Sequence, residues 1–245
     1  KSFKLEIITA YKDQKEAQQF IDNHITNWKI RNTEIEKAVS NNDFEKAIQY
    51  CKDGIEYDEK DKPGLVKTWY NWLLKIAQIR KDSSKIIEYA RYLFIDNFHP
   101  EQDYYQLLKQ QIEPDKWNDF LEEIIVEVSS NKSWRTDELI RKIFIKEEWW
   151  DRLFILLKQN LSLQNIKDNE EYLSKDYSPE LVGLYSERIV KYVDNYVGRN
   201  HYQTACRYLR RMKKLGGNQK VEELIKNFRK QYPQRRALLD ELNKV

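Results

Sequence analysis

Apolar residues recur along this chain at helical spacing. Between Gly64 and Arg80 the positions Val66, Trp69, Tyr70, Leu73, Ile76 and Ala77 follow the i, i+3, i+4, i+7 rule, and Leu65, Trp72 and Ile79 widen the stripe. A helix this apolar needs cover on more than one side. Strand-type alternation appears at Phe3, Leu5 and Ile7, a stretch short enough to read equally as the tail of a helix. Each of the five prolines precedes a helical pattern. Proline suits a first turn, where its missing N–H has no partner anyway, and breaks a helix interior. Pro63, Pro100, Pro114, Pro179 and Pro233 therefore predict helices over 64–79, 101–112, 115–128, 180–196 and 234–243. Gly216-Gly217 predicts a stop after a helix ending at Lys214 and Leu215, whose basic last turn suits the helix dipole. Asn41-Asn42-Asp43 and Lys81-Asp82-Ser83 mark further turns.

One signature repeats: an anchor, two residues, two apolar residues, two residues, one apolar or small residue. It reads Phe44-x-x-Ala47-Ile48-x-x-Cys51, then Ser83-x-x-Ile86-Ile87-x-x-Ala90, then Trp117-x-x-Phe120-Leu121-x-x-Ile124. It returns as Trp150-x-x-Leu153-Phe154-x-x-Leu157 and Tyr202-x-x-Ala205-Cys206-x-x-Leu209. The starts are 39, 34, 33 and 52 residues apart. The first three intervals match one helix pair per repeat, as in tetratricopeptide-like arrays of about 34 residues. The last has room for an extra or longer helix. Any amphipathic helix can produce one such match, so the spacing carries the inference, and an irregular helical bundle is the alternative. The expected fold is all-α, an α-solenoid of antiparallel helix pairs, tetratricopeptide-like. It forms one domain over 1–245, with a leading helical segment over 1–30, helix pairs over 31–179 and basic helices over 180–245. Stacked hairpins of this kind bury a continuous core and leave an extended concave surface.

Composition agrees. With only 6 Gly and 5 Pro in 245 residues the chain lacks the turn content of all-β folds, and an aromatic content of 13% is too rich for disorder. The longest apolar run is Leu153 to Leu157, far short of the roughly 20 residues of a membrane span. No signal-peptide core appears, so the expected location is cytoplasmic. The only methionine is Met212 and the chain starts at Lys1, which predicts a piece of a larger protein. Cys51 and Cys206 fall on apolar stripes and read as buried free thiols in a reducing compartment.

The run from His201 to Gly217 resembles a helix-and-stop of bacterial SWIM zinc-finger family proteins. Tyr232-Pro233-Gln234-Arg235-Arg236-Ala237-Leu238-Leu239-Asp240-Glu241-Leu242 and Pro63-Gly64-Leu65-Val66 with its Trp-rich helix fit the same region. The resemblance covers about residues 40 to 245. It implies a helical part C-terminal to a small zinc motif and a role in binding nucleic acid or protein. That motif needs C-x-C followed by C-x-H to hold a tetrahedral zinc. Neither occurs here, so the resemblance brings no metal to these residues.

Catalytic signatures are absent. His24, His99 and His201 have no metal-spaced companion, and no phosphate-cradling glycine loop or G-x-S-x-G occurs. Carboxylate pairs such as Glu122-Glu123 and Glu222-Glu223 are adjacent, and adjacent helix residues do not face one another. Neither an enzyme nor a cofactor, metal or small-molecule substrate is expected. Charge is uneven: residues 180–245 hold 15 Lys/Arg against 7 Asp/Glu. Arg207, Arg210, Arg211 and Lys214 share one helix face, either a phosphate-contacting stripe or a solvated face complementing the helix C-terminus. Trp72 and Trp134 are candidate groove aromatics, with core packing as the alternative. The expected function is a non-enzymatic module binding a protein or peptide. The second reading is a nucleic-acid platform in the basic C-terminal third.

Overall fold

The computed structural model of the chain describes residues 14–96, 103–130 and 134–245. Phe3, Leu5, Ile7, His99 and Pro100 lie outside them, as does the start of the helix expected from Glu101. The described residues form thirteen helices and no strand. They are α1 (Gln14–His24), α2 (Trp28–Ser40), α3 (Phe44–Asp58), α4 (Pro63–Arg80), α5 (Ser83–Asp96), α6 (Tyr104–Gln111) and α7 (Trp117–Ser130). Then come α8 (Trp134–Lys146), α9 (Trp150–Gln159), α10 (Leu163–Asn195), α11 (Arg199–Lys214), α12 (Asn218–Gln231) and α13 (Arg236–Leu242). The chain divides into two compact units, Lys1–Asn131 and Lys132–Val245. No helix among the described residues is long and apolar enough to cross a membrane.

The repeated signature falls on every second helix. It opens α3, α5, α7 and α9 and lies in the first turns of α11. Most of its inward positions lie in the core: Ala47, Cys51, Ala90, Leu121, Ile124 and Leu209 are fully buried, and Ala205 nearly so. The interval of 52 residues is accounted for by α10, which is 33 residues long. Several hairpins close with the same device. At the end of α2, Asn42 takes a positive φ, its N–H reaches Val39 O, and the next N–H reaches Ala38 O. Lys81 after α4, Glu148 after α8 and Gly216 after α11 repeat this pair of bonds. The left-handed residue lets two otherwise orphaned carbonyls find donors. Asp43 and Asp82 then cap the next helix by accepting from Lys46 N–H and Lys85 N–H.

In the first unit, consecutive helices α2 to α6 pack on one another, and α2 also meets α4. Their senses alternate. Arg31 near the start of α2 bonds Asp58 at the end of α3, Glu45 at the start of α3 bonds Arg80 at the end of α4, and Ser83 of α5 bonds Gln111 of α6. The centre is Trp69, fully buried, whose Nε1 donates to Asp58 Oδ2 at 2.9 Å. Arg31 Nη1 donates to the same oxygen at 3.2 Å. Gly54 permits this meeting, because a Cβ there would stand 2.9 Å from the Trp69 ring and 3.0 Å from Arg31 Cδ. Arg31 Nε and Asp58 Oδ1 are buried without hydrogen-bond partners.

In the second unit α8, α9, α10 and α11 pack in succession, α12 lies on α10 and α11, and α13 lies on α11. As its spacing predicts, Pro179 lies in the first turn of a helical limb that runs to Asn195. It sits inside α10, just past a kink where Tyr177 leaves helical angles (φ −125°, ψ 21°). The kink separates two helical limbs, and proline suits the first turn of the second, where its missing N–H has no ladder partner to lose. Tyr177 stacks on Phe154 and donates to Asp151, both on α9, which holds the bend. The helices expected from Pro114 and Pro233 begin two residues later than their spacing predicts, at Trp117 and Arg236, because each proline lies in a turn ahead of the helix.

Candidate functional site

Helix α11 turns Tyr202, Ala205, Cys206, Leu209 and Met212 inward and leaves Arg207, Arg210 and Lys214 exposed. Arg207 Nη2 donates to Thr204 Oγ1 at 3.0 Å and Arg210 Nη2 to the Lys244 carbonyl at 3.2 Å, and neither pairs with a carboxylate among the described residues. Arg211 departs from the expected exposed stripe. It is half-buried and grips Glu170 of α10 with two bonds, Nε to Oε2 at 2.9 Å and Nη2 to Oε1 at 3.0 Å. Tyr185, from the other limb of the kinked α10, donates to the same carboxylate at 2.7 Å. The Glu170 hydrogen bond raises the Arg211 pKa, and burial, then the Glu170 bond, raises that of Tyr185. Arg211 thus ties α11 across the bend in α10, and its charge is committed inside the fold.

The two tryptophans do not join it. Trp72 is a half-buried residue of the first unit, its Nε1 donating to Asn32 Oδ1 at 2.8 Å while Lys75 Nζ lies 4.7 Å from its ring. It braces α4 against α2. The side chain of Trp134 lies outside the described residues. His24 stacks on Phe20 and bonds its carbonyl, as a packed histidine does. His201 Nδ1 pairs with Tyr192 OH at 2.8 Å. Cys51 and Cys206 are free and buried, and burial pushes their thiols up to about 12 and about 11, the reverse of an activated nucleophile. Among the described residues, no group of three His, Cys, Asp or Glu is placed to hold a metal ion.

A groove that spacing did not single out lies in the first unit. It has a volume of about 570 Å³, within the range of ligand-binding clefts, and runs between α3 and α5 with α4 as its floor. Leu73, Ile76 and Ala77 form the bottom, Ile48 and Ile55 the α3 side, and Tyr70 and Tyr89 one end. Its position follows from the packing. The buried stripe of α3 is Ala47, Cys51, Gly54 and Asp58, and Ile48 and Ile55 stand one position beyond it, half-buried on a second apolar edge. Seven residues apart, they share a helix face. That second edge is the signal in the sequence, but spacing alone cannot say that Tyr70 and Tyr89 stand opposite it.

The rim is charged and uneven. Arg80 and Glu45 pair at 2.7 Å across one end, and Lys85 and Glu88 pair at 2.7 Å along α5. Glu56 and Glu59 are exposed at the end of α3 and have no ion-pair partner among the described residues. Tyr70 registers that field: burial raises its pKa, and Glu88 and Glu59 raise it further. Tyr70 stacks on Tyr92 at 3.6 Å and meets Tyr89 edge-on at 6.1 Å. In the second unit a cavity of about 440 Å³ lies beside the Gly216-Gly217 turn, and its charged pair, Lys220 and Glu223, is internally satisfied at 2.9 Å.

No family model matches the sequence, and no curated protein or solved structure is found to be similar to it.

Proposed function

We propose that the chain is a non-enzymatic module that binds a segment of another protein, its helix pairs arranged as a tetratricopeptide-like solenoid. The solenoid reading draws on the signature recurring on every second helix and on the shared left-handed turn at the ends of α2, α4 and α8. The binding reading rests on the α3–α4–α5 groove, an open channel where half-buried Ile48, Ile55 and Tyr70 stand within a charged rim. A groove of packed helices with aliphatic floor and aromatic end is the form in which helical or extended segments dock. The resemblance to the helical part of SWIM zinc-finger proteins points the same way: such a module would supply partner binding beside the zinc motif.

Panning a phage-displayed library of random peptides of about 15 residues, which as a helix match the length of α3, tests this reading. Enriched clones should bind the whole chain and lose binding to Ile55→Arg, which places a charged side chain in the groove wall. No enrichment, or equal binding to that variant, contradicts the reading.

One observation favours nucleic acid as a second reading: Arg207, Arg210 and Lys214 are exposed on one face of α11 without carboxylate partners among the described residues. Binding of labelled duplex DNA and single-stranded RNA at low and physiological salt decides it. Three phosphate contacts on duplex DNA give a log–log salt slope near −2.7. Absence of binding at low salt removes the second reading.

A further inference from the structure

The groove has a direction. Its lining includes five carboxylates, on Glu45, Glu56, Glu59, Asp82 and Glu88, against Lys52, Arg80 and Lys85. Two of the five are neutralised by Arg80 and Lys85. Asp82 is committed to capping α5, accepting from Ser84 Oγ at 2.8 Å and from Lys85 N–H at 3.2 Å. Glu56 and Glu59 remain, one turn apart on the same face. Glu56 sits in the last turn of α3 and Glu59 is its C-cap, where the helix dipole is already negative and cations are the favoured residues. α3 has no basic residue in its last turn. Lys62, just beyond, lies over the Tyr57 ring at 6.0 Å and is not part of the groove lining. Two like charges on a negative helix end are mutually unfavourable. A cation brought to this end relieves that repulsion.

The tyrosines bound this end. Tyr89 is buried with Lys85 already over its ring at 5.9 Å, and half-buried Tyr70, stacked on Tyr92, is the ring left beside these carboxylates, where a further Lys or Arg would be attracted. The opposite end, closed by the Glu45–Arg80 pair, offers no such field. Between the two ends Leu73, Ile76 and Ala77 are buried beneath the floor, and Ile48 and Ile55 are the aliphatic side chains left half-open. A ligand matched to this groove therefore carries apolar side chains along its length and positive charge at one end.

We infer that the α3–α4–α5 groove takes an amphipathic segment of another protein whose apolar side chains seat on Ile48 and Ile55 and whose Lys or Arg meets Glu56 and Glu59 at the tyrosine end. The inference rests on the docking reading above and adds the chemical class of the partner. The whole chain carries a net charge of +3, so general attraction to basic peptides is not expected of it. A preference for them has to come from a local acidic site. Lys52 within the groove limits the match to the end where Glu56 and Glu59 lie.

The test sequences the panned library on two proteins, the parent chain and Glu56→Lys/Glu59→Lys. Both positions are exposed, and lysines there suit the helix C-terminus, so the double variant keeps the fold. Clones that fail to bind Ile55→Arg are taken as groove-dependent. On the parent these should be enriched in Lys and Arg together with aliphatic residues. The ratio of basic to acidic residues should fall roughly tenfold on the double variant, the size expected when two exposed ion pairs become two repulsions. Titrating one selected peptide at rising salt should erode the difference, because exposed charges are screened. Groove-dependent clones without a basic bias, or with the same bias on both proteins, overturn the inference and leave the docking reading standing. Failure to recover any groove-dependent clone overturns both.

Discussion

Arg31 in α2 and Arg211 in α11 both meet a carboxylate from a neighbouring helix beside an aromatic side chain, yet they are opposite cases. The Arg31–Asp58 pair is dry, with side-chain exposures of 2% and 1%, and leaves Arg31 Nε and Asp58 Oδ1 without partners. The Arg211–Glu170 pair is partly wet, at 36% and 13%, and is fully engaged, with two parallel bonds and a third from Tyr185. Burying two charges costs more than a single imperfect contact returns, so the dry pair is a weak source of stability and a strong constraint on alternatives. It fixes the register of α2, α3 and α4 at one point, since Trp69 shares the carboxylate and Gly54 admits no other side chain. The wet pair can add stability, because a bidentate arginine bond at a partly exposed site loses less hydration. One unit thus uses charge to specify packing beneath an open groove. The other uses it to brace a bent helix and leaves its remaining cations outside.

Removing the carboxylates separates the two cases. Asp58→Ala strands a buried guanidinium and should cost about 3–5 kcal/mol, whereas Glu170→Ala should cost about 1–3 kcal/mol, because Arg211 reaches water. Denaturant melts of both variants check this, and equal losses contradict the contrast. Replacing the dry pair together, Arg31→Met with Asp58→Leu, should recover only part of the loss in the first variant, because Trp69 Nε1 still lacks its acceptor.

A wedge on the same face should do less. Ala47 precedes Cys51, Gly54 and Asp58 on one buried stripe, so Ala47→Trp forces α3 off its neighbours and should cost roughly 1–3 kcal/mol. A melt like the parent's contradicts the placement of that stripe.

The thiols give a smaller, pH-dependent handle. Burial pushes Cys51 up to about 12, and it lies on the dry stripe. It pushes Cys206 up to about 11. Both are neutral in the fold, so their contribution is complete below the unfolded pKa of about 8.5 and is lost as pH rises through the folded values. Alkaline melts of Cys51→Ser and Cys206→Ser should therefore fall less steeply between pH 9 and 11 than the parent's, each referenced to its own stability at pH 7. Identical slopes contradict the burial argument.

The exposed cations should matter least. Changing Arg207, Arg210 and Lys214 to Glu should move stability by no more than about 0.5 kcal/mol per site, as surface substitutions do. Adding Arg211→Glu to that set should unfold the second unit further, because it sets two carboxylates against each other at Glu170. A thermal melt of the triple and quadruple variants reads the difference.

Much of this architecture was legible from spacing. The repeated signature marks every second helix, the small residues Ala47, Ala90 and Ala205 lie where helices touch, and Gly216-Gly217 stops α11. These features are local, and helix periodicity and turn chemistry report them directly. Pro179 was legible too: it opens the second limb of α10, just past the kink at Tyr177. Arg211 misled because its partner is 41 residues away, beyond any helical period. Asp58 reads as one more acid in an acidic turn until Arg31 and Trp69 close over it. The groove was hidden for the same reason: Ile48 and Ile55 gain meaning only when α4 and α5 place Leu73, Tyr70 and Tyr89 opposite them.

The claim that the first unit's groove is the working surface is tested most directly by hydroxyl-radical footprinting of the whole chain with a groove-selected basic peptide. Bound peptide should protect Tyr70, Ile55 and Ile48 and leave Tyr208 on α11 unchanged. Protection at Tyr208 with none at Tyr70 contradicts it and moves the working surface to the basic helix.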